Sequence, residues 1–169
     1  MKAFYNKKPL LFLLFLAMIV SLALCCSACG AKARENGGGE IRFTDALGRE
    51  VAVSQNTERV ASLLGSFSDA WLSAGGSLCA SAEDAWEDFK LELGEAVNLG
   101  GAHSPILELL LSADPDFVLA SASTASNVKM KDALESAGIT VAYFDVDNFE
   151  DYLNMLNICT DIIGRKNLY

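Results

Sequence analysis

Residues 114–120 read Asp-Pro-Asp-Phe-Val-Leu-Ala, and the last four are apolar with no polar residue between them. Three further largely apolar runs lie at residues 60–64, 78–82 and 140–144. None of the four alternates cleanly between apolar and polar residues, and strands that are apolar on both faces are typical of a parallel sheet covered by helices. The sequence therefore predicts a buried parallel sheet built on these four runs.

Helical patterns separate the apolar runs. The expected N-caps of these helices are Ser66, Ser104 and Asn148. The expected C-terminal ends are marked by Gly75, Gly138 and Gly164, because glycine adopts the left-handed conformation that ends a helix. Residues 41–44 and 50–53 alternate about a glycine-containing turn, which predicts a β-hairpin before the first run. Because strand and helix then alternate four times, the predicted fold class is α/β. It is a Rossmann-like doubly wound, mostly parallel sheet with an N-terminal β-hairpin.

The first 28 residues have the build of a bacterial lipoprotein signal peptide. Lysines at positions 2, 7 and 8 precede an apolar stretch at 10–24, which is shorter than the roughly 20 apolar residues that span a membrane. Cys-Ser-Ala-Cys-Gly at 26–30 resembles a lipobox and makes Cys29 the predicted lipidation site; Cys25, Cys26 and an ordinary signal peptide are the alternatives. Residues 29–40, with three consecutive glycines, are predicted to be a lipid-anchored flexible tether to a domain at 41–169.

The charge balance excludes one class of partner. The chain has 13 basic and 22 acidic residues, and loss of residues 1–28 would remove three basic residues and no acidic one. The remaining formal charge would be −12, whereas nucleic-acid binding needs a basic surface. We therefore expect no nucleic-acid partner. Cys79 and Cys159 lie in apolar segments and are expected to be buried free thiols.

Six fragments of the chain together resemble one protein family. They are IRFTDALGREVAV at 41–53, ERV at 58–60, NLGG at 98–101, DPDFVLA at 114–120, AGI at 137–139 and IIGR at 162–165. In their order and spacing they resemble the solute-binding proteins of ABC importers for ferric siderophores, haem and cobalamin. The resemblance covers residues 41–166. It implies a fold of two Rossmann-like lobes that hold a metal chelate between them, of which this chain resembles the N-terminal lobe only.

The resemblance also implies where a ligand binds. Ligands of open parallel sheets lie outside the carboxyl ends of the strands, and five loops of this chain follow apolar strand-like runs or precede helical ones there. Hydroxyl groups, helix N-termini and aromatic rings on these loops are suited to holding a chelate. The candidate ligand-binding residues are Ser66, Phe67, Trp86, His103, Ser104, Ser121, Ser123, Thr124 and Asp145.

Several of these candidates have a second interpretation. Trp86 either stacks on a planar ligand or packs beneath a loop, and helix capping is an alternative role for the serines and Thr124. His103, the single histidine, is either an axial ligand of chelated iron or cobalt or a solvated loop residue. Zinc and manganese receptors gather several His and carboxylate ligands, so one histidine favours a chelate over a free metal ion. No cofactor, and no metal held by the protein alone, is expected.

Glu108 is the candidate for docking to the permease of the importer. In the family that the chain resembles, a glutamate in the helix before a Lys-Pro-Asp segment contacts permease arginines, and Glu108 stands at the matching distance before Pro115-Asp116. Asp114 replaces the lysine. A contact of this type mainly sets orientation and association rate. A solvated helix acid is the alternative interpretation.

These features predict a binding protein and not an enzyme. The sequence has no Gly-x-Ser-x-Gly elbow, no phosphate-binding Gly-x-x-x-x-Gly-Lys motif and one histidine to act as acid or base. The predicted function is a lipid-anchored, extracytoplasmic substrate-binding component of an ABC importer for a metal chelate. Its expected partners are the permease subunits, the chelate and the membrane.

The chain ends at Tyr169, where the family that it resembles continues into a second lobe. Three interpretations follow from the sequence. The first is a receptor truncated to its first lobe or split between genes, and the second is a lobe whose cleft a second chain completes. The third is a tethered protein-interaction module, or a nonfunctional receptor, without a small-molecule ligand.

Overall fold

The computed structural model of the protein describes residues 39–168. The predicted signal peptide at 1–28, lipidation at Cys29 and nearly all of the tether at 29–40 lie outside these residues. Glu40, the last residue of the predicted tether, already belongs to the first strand. Within residues 39–168, no helix combines the length and the apolar character needed to cross a membrane.

A β-hairpin opens the described chain, and short strands alternate with helices after it. The strands are β1 (Glu40–Thr44), β2 (Glu50–Ser54), β3 (Val60–Ser62), β4 (Ala80–Ser81), β5 (Val97–Asn98), β6 (Phe117–Ser121) and β7 (Thr140–Phe144). The helices are α1 (Gly65–Ser73), α2 (Asp84–Glu87), α3 (Leu107–Ser112), α4 (Ala125–Lys129), α5 (Lys131–Ser136) and α6 (Phe149–Ile163), followed by a 3₁₀ turn at Lys166–Leu168. The predicted hairpin, the four apolar runs and the four helical segments each contain an element of the predicted type.

The strands β3 to β7 form one sheet in the order β5-β4-β3-β6-β7, and every neighbouring pair is parallel. From β3 the chain adds strands outward on one side, and from β6 it adds them on the other. The strand order therefore reverses between β3 and β6, which is the switch point of a doubly wound sheet. The predicted fold class is confirmed.

Successive residues of β6 enter opposite hydrophobic cores. Phe117 and Leu119 belong to the core that contains α1 and α6, whereas Val118 and Ala120 belong to the core that contains α3 and α5. All four side chains are 0% exposed. Burial of a side chain as large as Phe or Leu stabilises a fold by roughly 2 kcal/mol. This two-sided burial explains why the strands are apolar without alternation.

The N-cap expected at Ser66 is wrong. Helix α1 begins one residue earlier, at Gly65, and no side chain caps it. The backbone N–H of Gly65 donates instead to Oδ2 of Asp84, at 2.9 Å. A carboxylate 19 residues away thus takes the role that a local pattern assigns to serine.

The N-cap expected at Ser104 is also wrong, because α3 begins only at Leu107. The backbone N–H of Ile106 donates to the carbonyl of Leu99 at 2.8 Å, and this bond keeps the preceding residues out of the helix. The expected ends of α6 are confirmed. The side chain of Asn148 accepts two backbone N–H groups of the first turn, and Gly164 adopts φ 75°.

A buried ion pair fixes the hairpin turn to strand β7. Oδ2 of Asp45, whose side chain is 0% exposed, lies 2.5 Å from Nη2 of Arg49 and accepts the backbone N–H of Tyr143 at 3.3 Å. Arg49 also donates to the carbonyl of Val141 at 3.0 Å and lies over the Tyr143 ring. Burial alone raises the pKa of Asp45, but the hydrogen bonds from Arg49 and Tyr143 outweigh it and lower the pKa below its usual value.

Replacing Asp45 by Ala is expected to lower the free energy of unfolding at pH 7 by about 3 kcal/mol, because the partly buried Arg49 loses its carboxylate. Since folding lowers the Asp45 pKa, its contribution is fully present above the unfolded value of 3.8 and is lost progressively as the pH falls from there through the lower folded-state pKa. Urea unfolding should therefore show a large difference from the parent protein at pH 7 and a smaller one near pH 3.

Asp132→Ala is the matched control for Asp45→Ala. The Asp132 carboxylate pairs with Lys131 at 2.8 Å but is 89% exposed, so its loss should leave the free energy of unfolding close to that of the parent protein. Equal stability of Asp45→Ala and the parent protein at pH 7 would contradict the anchoring role of the buried pair.

Candidate ligand-binding site

The carboxyl ends of the five parallel strands lie along one edge of the sheet. We call the segments at this edge the rim: residues 63–68 after β3, 82–88 after β4, 99–104 after β5, 121–126 at and after the end of β6, and 145–151 after β7. Their order along the edge follows the strand order. Open α/β sheets bind ligands at this edge, at the switch point. All nine candidate ligand-binding residues lie on the rim.

A pocket of about 170 Å³ opens at the switch point. It is lined by Leu64, Ser66 and Phe67 after β3, by Ser121 and Ser123 at β6, and by Val146, Tyr152 and Met155 on the β7 side. The fold therefore brings together four of the residues predicted from sequence, Ser66, Phe67, Ser121 and Ser123. They meet because they lie at or shortly after the carboxyl ends of β3 and β6, the two paired strands at the switch point.

The serines differ in how much of their hydroxyl is available to a ligand. Ser121 is 2% exposed, and its Oγ lies 2.9 Å from Oγ of Ser123 and accepts the Ser123 backbone N–H at 3.2 Å. Ser123 itself is exposed, and Ser66 is half-buried. A hydroxyl both donates and accepts, so Ser66 and Ser123 can bind ligand oxygens or N–H groups while Ser121 orients Ser123.

A buried asparagine holds the loops around the pocket together. Oδ1 of Asn127 accepts the backbone N–H of Ser121 at 3.0 Å, and its Nδ2 donates to the carbonyl of Ala102 at 3.4 Å. The carbonyl of Asn127 accepts the hydroxyl of Tyr143 at 3.1 Å. Burial raises the pKa of Tyr143, so this hydroxyl stays protonated as a donor. Asn127 was not a sequence candidate; an amide three residues after the predicted ligand loop was the available signal.

Aromatic rings lie on both sides of the pocket. Phe67 is 5% exposed and meets Phe144 edge-on at 6.1 Å, so it forms pocket wall and does not project from it. Phe149 is 73% exposed and stacks on Tyr152, with ring centroids 6.3 Å apart and planes 19° apart. Neither Phe149 nor Tyr152 was a sequence candidate. The available signal was an aromatic residue directly after the Asn148 cap, at the rim end of α6.

Helix α2 packs closely on the start of α1. A Cβ atom on Gly65 would lie 2.7 Å from the backbone nitrogen of Ala85, so the two segments approach at a distance that only glycine permits. Asp84 bonds to Gly65 through Oδ2, while its Oδ1 is buried without a hydrogen-bond partner among the described residues. Trp86 is half-buried on α2. Its ring therefore has only part of its surface available for stacking.

The remaining candidates do not line the pocket. His103 and Ser104 are exposed after β5, two strands away from β3, and Thr124 is 9% exposed at the start of α4. Asp145 is exposed and lines a separate pocket of about 180 Å³ beside the hairpin turn. Across residues 39–168, no three His, Cys, Asp or Glu side chains are grouped so that they could hold a metal ion.

A larger space of about 650 Å³ lies at the opposite edge of the sheet, lined by Trp71, Ser77 and Arg165 among others. It is broad and open, and the Trp71 indole N–H in it already donates to the Ser77 carbonyl at 3.0 Å. It also lies at the amino ends of the strands, where open α/β sheets do not place their ligands. The smaller pocket on the rim is therefore the better candidate site.

Glu108 is exposed in the first turn of α3, outside the rim. Three exposed apolar side chains accompany it, namely Ile106 (45%), Leu109 (36%) and Leu111 (38%). Asp114, which replaces the lysine of the resembled motif, adopts φ 47°, a conformation that aspartate tolerates better than most residues. Nε of Arg59 donates to the Asp114 carbonyl at 2.7 Å, so this segment ties the starts of β3 and β6 together.

Solved structures of siderophore-binding proteins share this fold. Staphylococcus aureus SirA, solved complexed with staphyloferrin B, matches 76% of this chain at 20% identity and a TM-score of 0.58. The petrobactin-binding protein YclQ from Bacillus subtilis matches 76% at 14% identity and a TM-score of 0.63. The periplasmic catecholate-siderophore binding protein VctP from Vibrio cholerae matches 76% at 17% identity and a TM-score of 0.61. No protein-family model and no curated protein sequence matches the chain.

The chain spans less than half the length of these structures, namely 44% of SirA and 47% each of YclQ and VctP. At such low identity the likeness establishes the fold alone. That fold is part of the fold of siderophore-binding solute receptors, with the extent expected for one lobe of two. The predicted single-lobe solute-binding fold is therefore confirmed.

Proposed function

We propose that this chain is an extracytoplasmic substrate-binding component of an ABC importer and that it binds a metal chelate at the rim. The observation that carries the proposal is a pocket with serine hydroxyls at the switch point of a fold shared with SirA, YclQ and VctP. The names of these three proteins concern staphyloferrin B, petrobactin and catecholate siderophores. A ferric siderophore is accordingly the first ligand class for this chain, with haem and cobalamin as further members. The chain binds and releases its ligand and catalyses no reaction.

The size of the pocket supports a ligand that extends beyond it. Ligand sites usually have volumes of about 300–1,000 Å³ and bury most of the ligand, whereas this pocket has about 170 Å³. The described lobe therefore supplies one wall, and a second lobe or a second chain supplies the other. If a site with both walls binds at about 1 μM, loss of half the contacts leaves millimolar affinity, because the orientational cost of binding stays.

The first test is a thermal-shift series on the full chain in mild detergent, with ferric siderophores, haem and cobalamin up to about 5 mM where solubility allows. Binding near 1 mM should raise the melting temperature by about 3 °C for at least one ligand. Ser123→Ala should reduce that shift, because it removes the exposed hydroxyl of the pocket. Ser136→Ala, on an exposed serine at the end of α5 far from the rim, should not. A well-folded protein that no ligand stabilises would reject the proposal.

The second candidate function is a tethered protein-interaction module. The observation that favours it is the exposed apolar group on and beside α3, formed by Ile106, Leu109 and Leu111. Large apolar side chains that are exposed close together are one feature of protein-interaction sites. This candidate predicts that no chelate binds and that the α3 surface alone carries association with a protein partner.

Glu108 is the proposed docking residue for the permease. Glu108→Lys should slow association of the full chain with the permease of its own organism by about tenfold, because charges at the edge of an interface act mainly on the association rate. Surface plasmon resonance on the permease in nanodiscs measures that rate at two salt concentrations. Glu92→Lys makes the same charge change at an exposed site outside α3 and serves as the control. Equal rates for the two variants would exclude Glu108 from docking.

Cys29 is the proposed lipid anchor. Metabolic labelling of the full chain with palmitate in a bacterial host should give a labelled membrane protein, and Cys29→Ser should abolish the label, because the thiol is the site of lipid attachment. Cys25→Ser and Cys26→Ser are the controls and should keep it. Labelling that persists in Cys29→Ser would move the anchor to another cysteine, and absence of label in the parent protein would favour an ordinary signal peptide. Stable attachment requires more than one acyl chain.

A further inference from the structure

The rim carries eight acidic side chains and no lysine or arginine. Four follow β4 and four follow β7: Glu83, Asp84, Glu87 and Asp88, and Asp145, Asp147, Glu150 and Asp151. The segments after β3 and at the end of β6, which lie between these two groups in the strand order, contain no charged residue. Two acidic walls thus flank the neutral, serine-lined pocket.

The absence of basic residues is a property of this edge and not of the whole described chain. Arg59, Arg165 and Lys166 lie at the opposite end of the sheet, before β3 and after α6. The nearest basic residue along the chain is Lys90, which follows α2 and donates from Nζ to the Glu87 carbonyl. Within residues 39–168, none of the observed ion pairs involves a rim carboxylate.

Local structure accounts for some of these carboxylates but not for all of them. Asp84 accepts the Gly65 N–H, and Glu150 and Asp151 lie in the first turn of α6, where acidic residues are favourable for a helix. Asp145 and Asp147 are exposed and precede the helix. They flank Val146, which lines the pocket, so their charges face solvent beside it and act on a charged ligand that approaches.

The aromatic pair beside the pocket also favours a neutral or cationic ligand over an anionic one. Phe149 and Tyr152 stack at 6.3 Å next to the acidic segment 145–151, and Phe149 is 73% exposed. The face of an aromatic ring carries negative charge density and attracts cations, and its apolar surface suits uncharged groups. Neither the ring faces nor the carboxylates attract an anionic ligand.

We infer that the rim selects metal chelates of zero or positive net charge. This inference rests on the proposed function and narrows its ligand class. Three hydroxamate groups balance the charge of Fe(III) and give a neutral complex, and a free amine makes that complex cationic. Three catecholate groups give a complex with a net negative charge. The favoured class for this chain is therefore the tris-hydroxamate type, and the disfavoured class is the tris-catecholate type.

The test compares three Ga(III) chelates, because Ga(III) is diamagnetic and has the charge of Fe(III). A neutral tris-hydroxamate, a tris-hydroxamate with a free ammonium group and an anionic tris-catecholate are titrated into the full chain in mild detergent and followed by NMR. The two hydroxamates should bind at least about tenfold more tightly than the catecholate at low salt. The difference in affinity between the hydroxamates and the catecholate should become smaller in about 0.5 M salt, because charges are then screened over a few ångströms.

A charge-matched pair of variants assigns the selectivity to the rim. Asp145→Asn with Asp147→Asn should raise the affinity for the catecholate relative to the neutral hydroxamate by about threefold. Glu58→Gln with Asp114→Asn removes the same charge from exposed positions before β3 and β6, at the opposite edge, and should leave that ratio unchanged. Catecholate binding as tight as hydroxamate binding, or equal ratios in the two variants, overturns the inference but leaves chelate binding in place. Failure of all three chelates to bind overturns ferric siderophores as the proposed ligand class, and the inference with it.

Discussion

The constraint on which the rest of the structure depends is the parallel pairing of β3, β6 and β7 with side chains buried on both faces. Parallel neighbours require a crossover after each strand, and the buried faces require those crossovers to be helices. Because all strands of the sheet point the same way, all their carboxyl ends reach one edge. The rim, its pocket and its charge pattern are consequences of that arrangement.

Much of the fold could be predicted from the sequence where burial decides it. β7 matches its predicted bounds, and the ends of α6 were visible in Asn148 and Gly164. The elements absent from the prediction are β5, α2 and α4, with 2, 4 and 5 residues, which are too short for a hydrophobic period to appear. The start of α1 depends on the long-range bond from Gly65 to Asp84, which no local pattern reveals.

The candidate site, like the fold, could be predicted only in part from the sequence. Ser66, Ser121 and Ser123 reach one pocket because they follow neighbouring central strands, and strand ends are legible in the sequence. Tyr152 and Phe149 were missed because helical spacing separates buried from exposed faces but does not identify the turn of α6 that meets the rim. Asn127 was missed for a related reason, since its role depends on contacts with three separate loops or strands.

In the proposed receptor, the described lobe recognises the ligand from one side only, and three of its features act together. Hydroxyls at the switch point would supply polar contacts, the Phe149–Tyr152 stack would supply apolar surface, and the carboxylates on either side would select the charge of the ligand. The exposed apolar side chains near Glu108 lie on a different element and leave the rim free. A second wall would complete the burial of the ligand, and the first wall would still favour ligands of zero or positive charge.

The most direct test of chelate binding at the rim is chemical-shift mapping of the full chain with a neutral Ga(III) tris-hydroxamate. The account predicts that the largest shift changes fall in residues 63–68, 121–126 and 145–152, with little change around Arg165 at the opposite edge. Changes centred on the space lined by Trp71 and Arg165, or on α3, would contradict it, as would a spectrum that the chelate leaves unaltered.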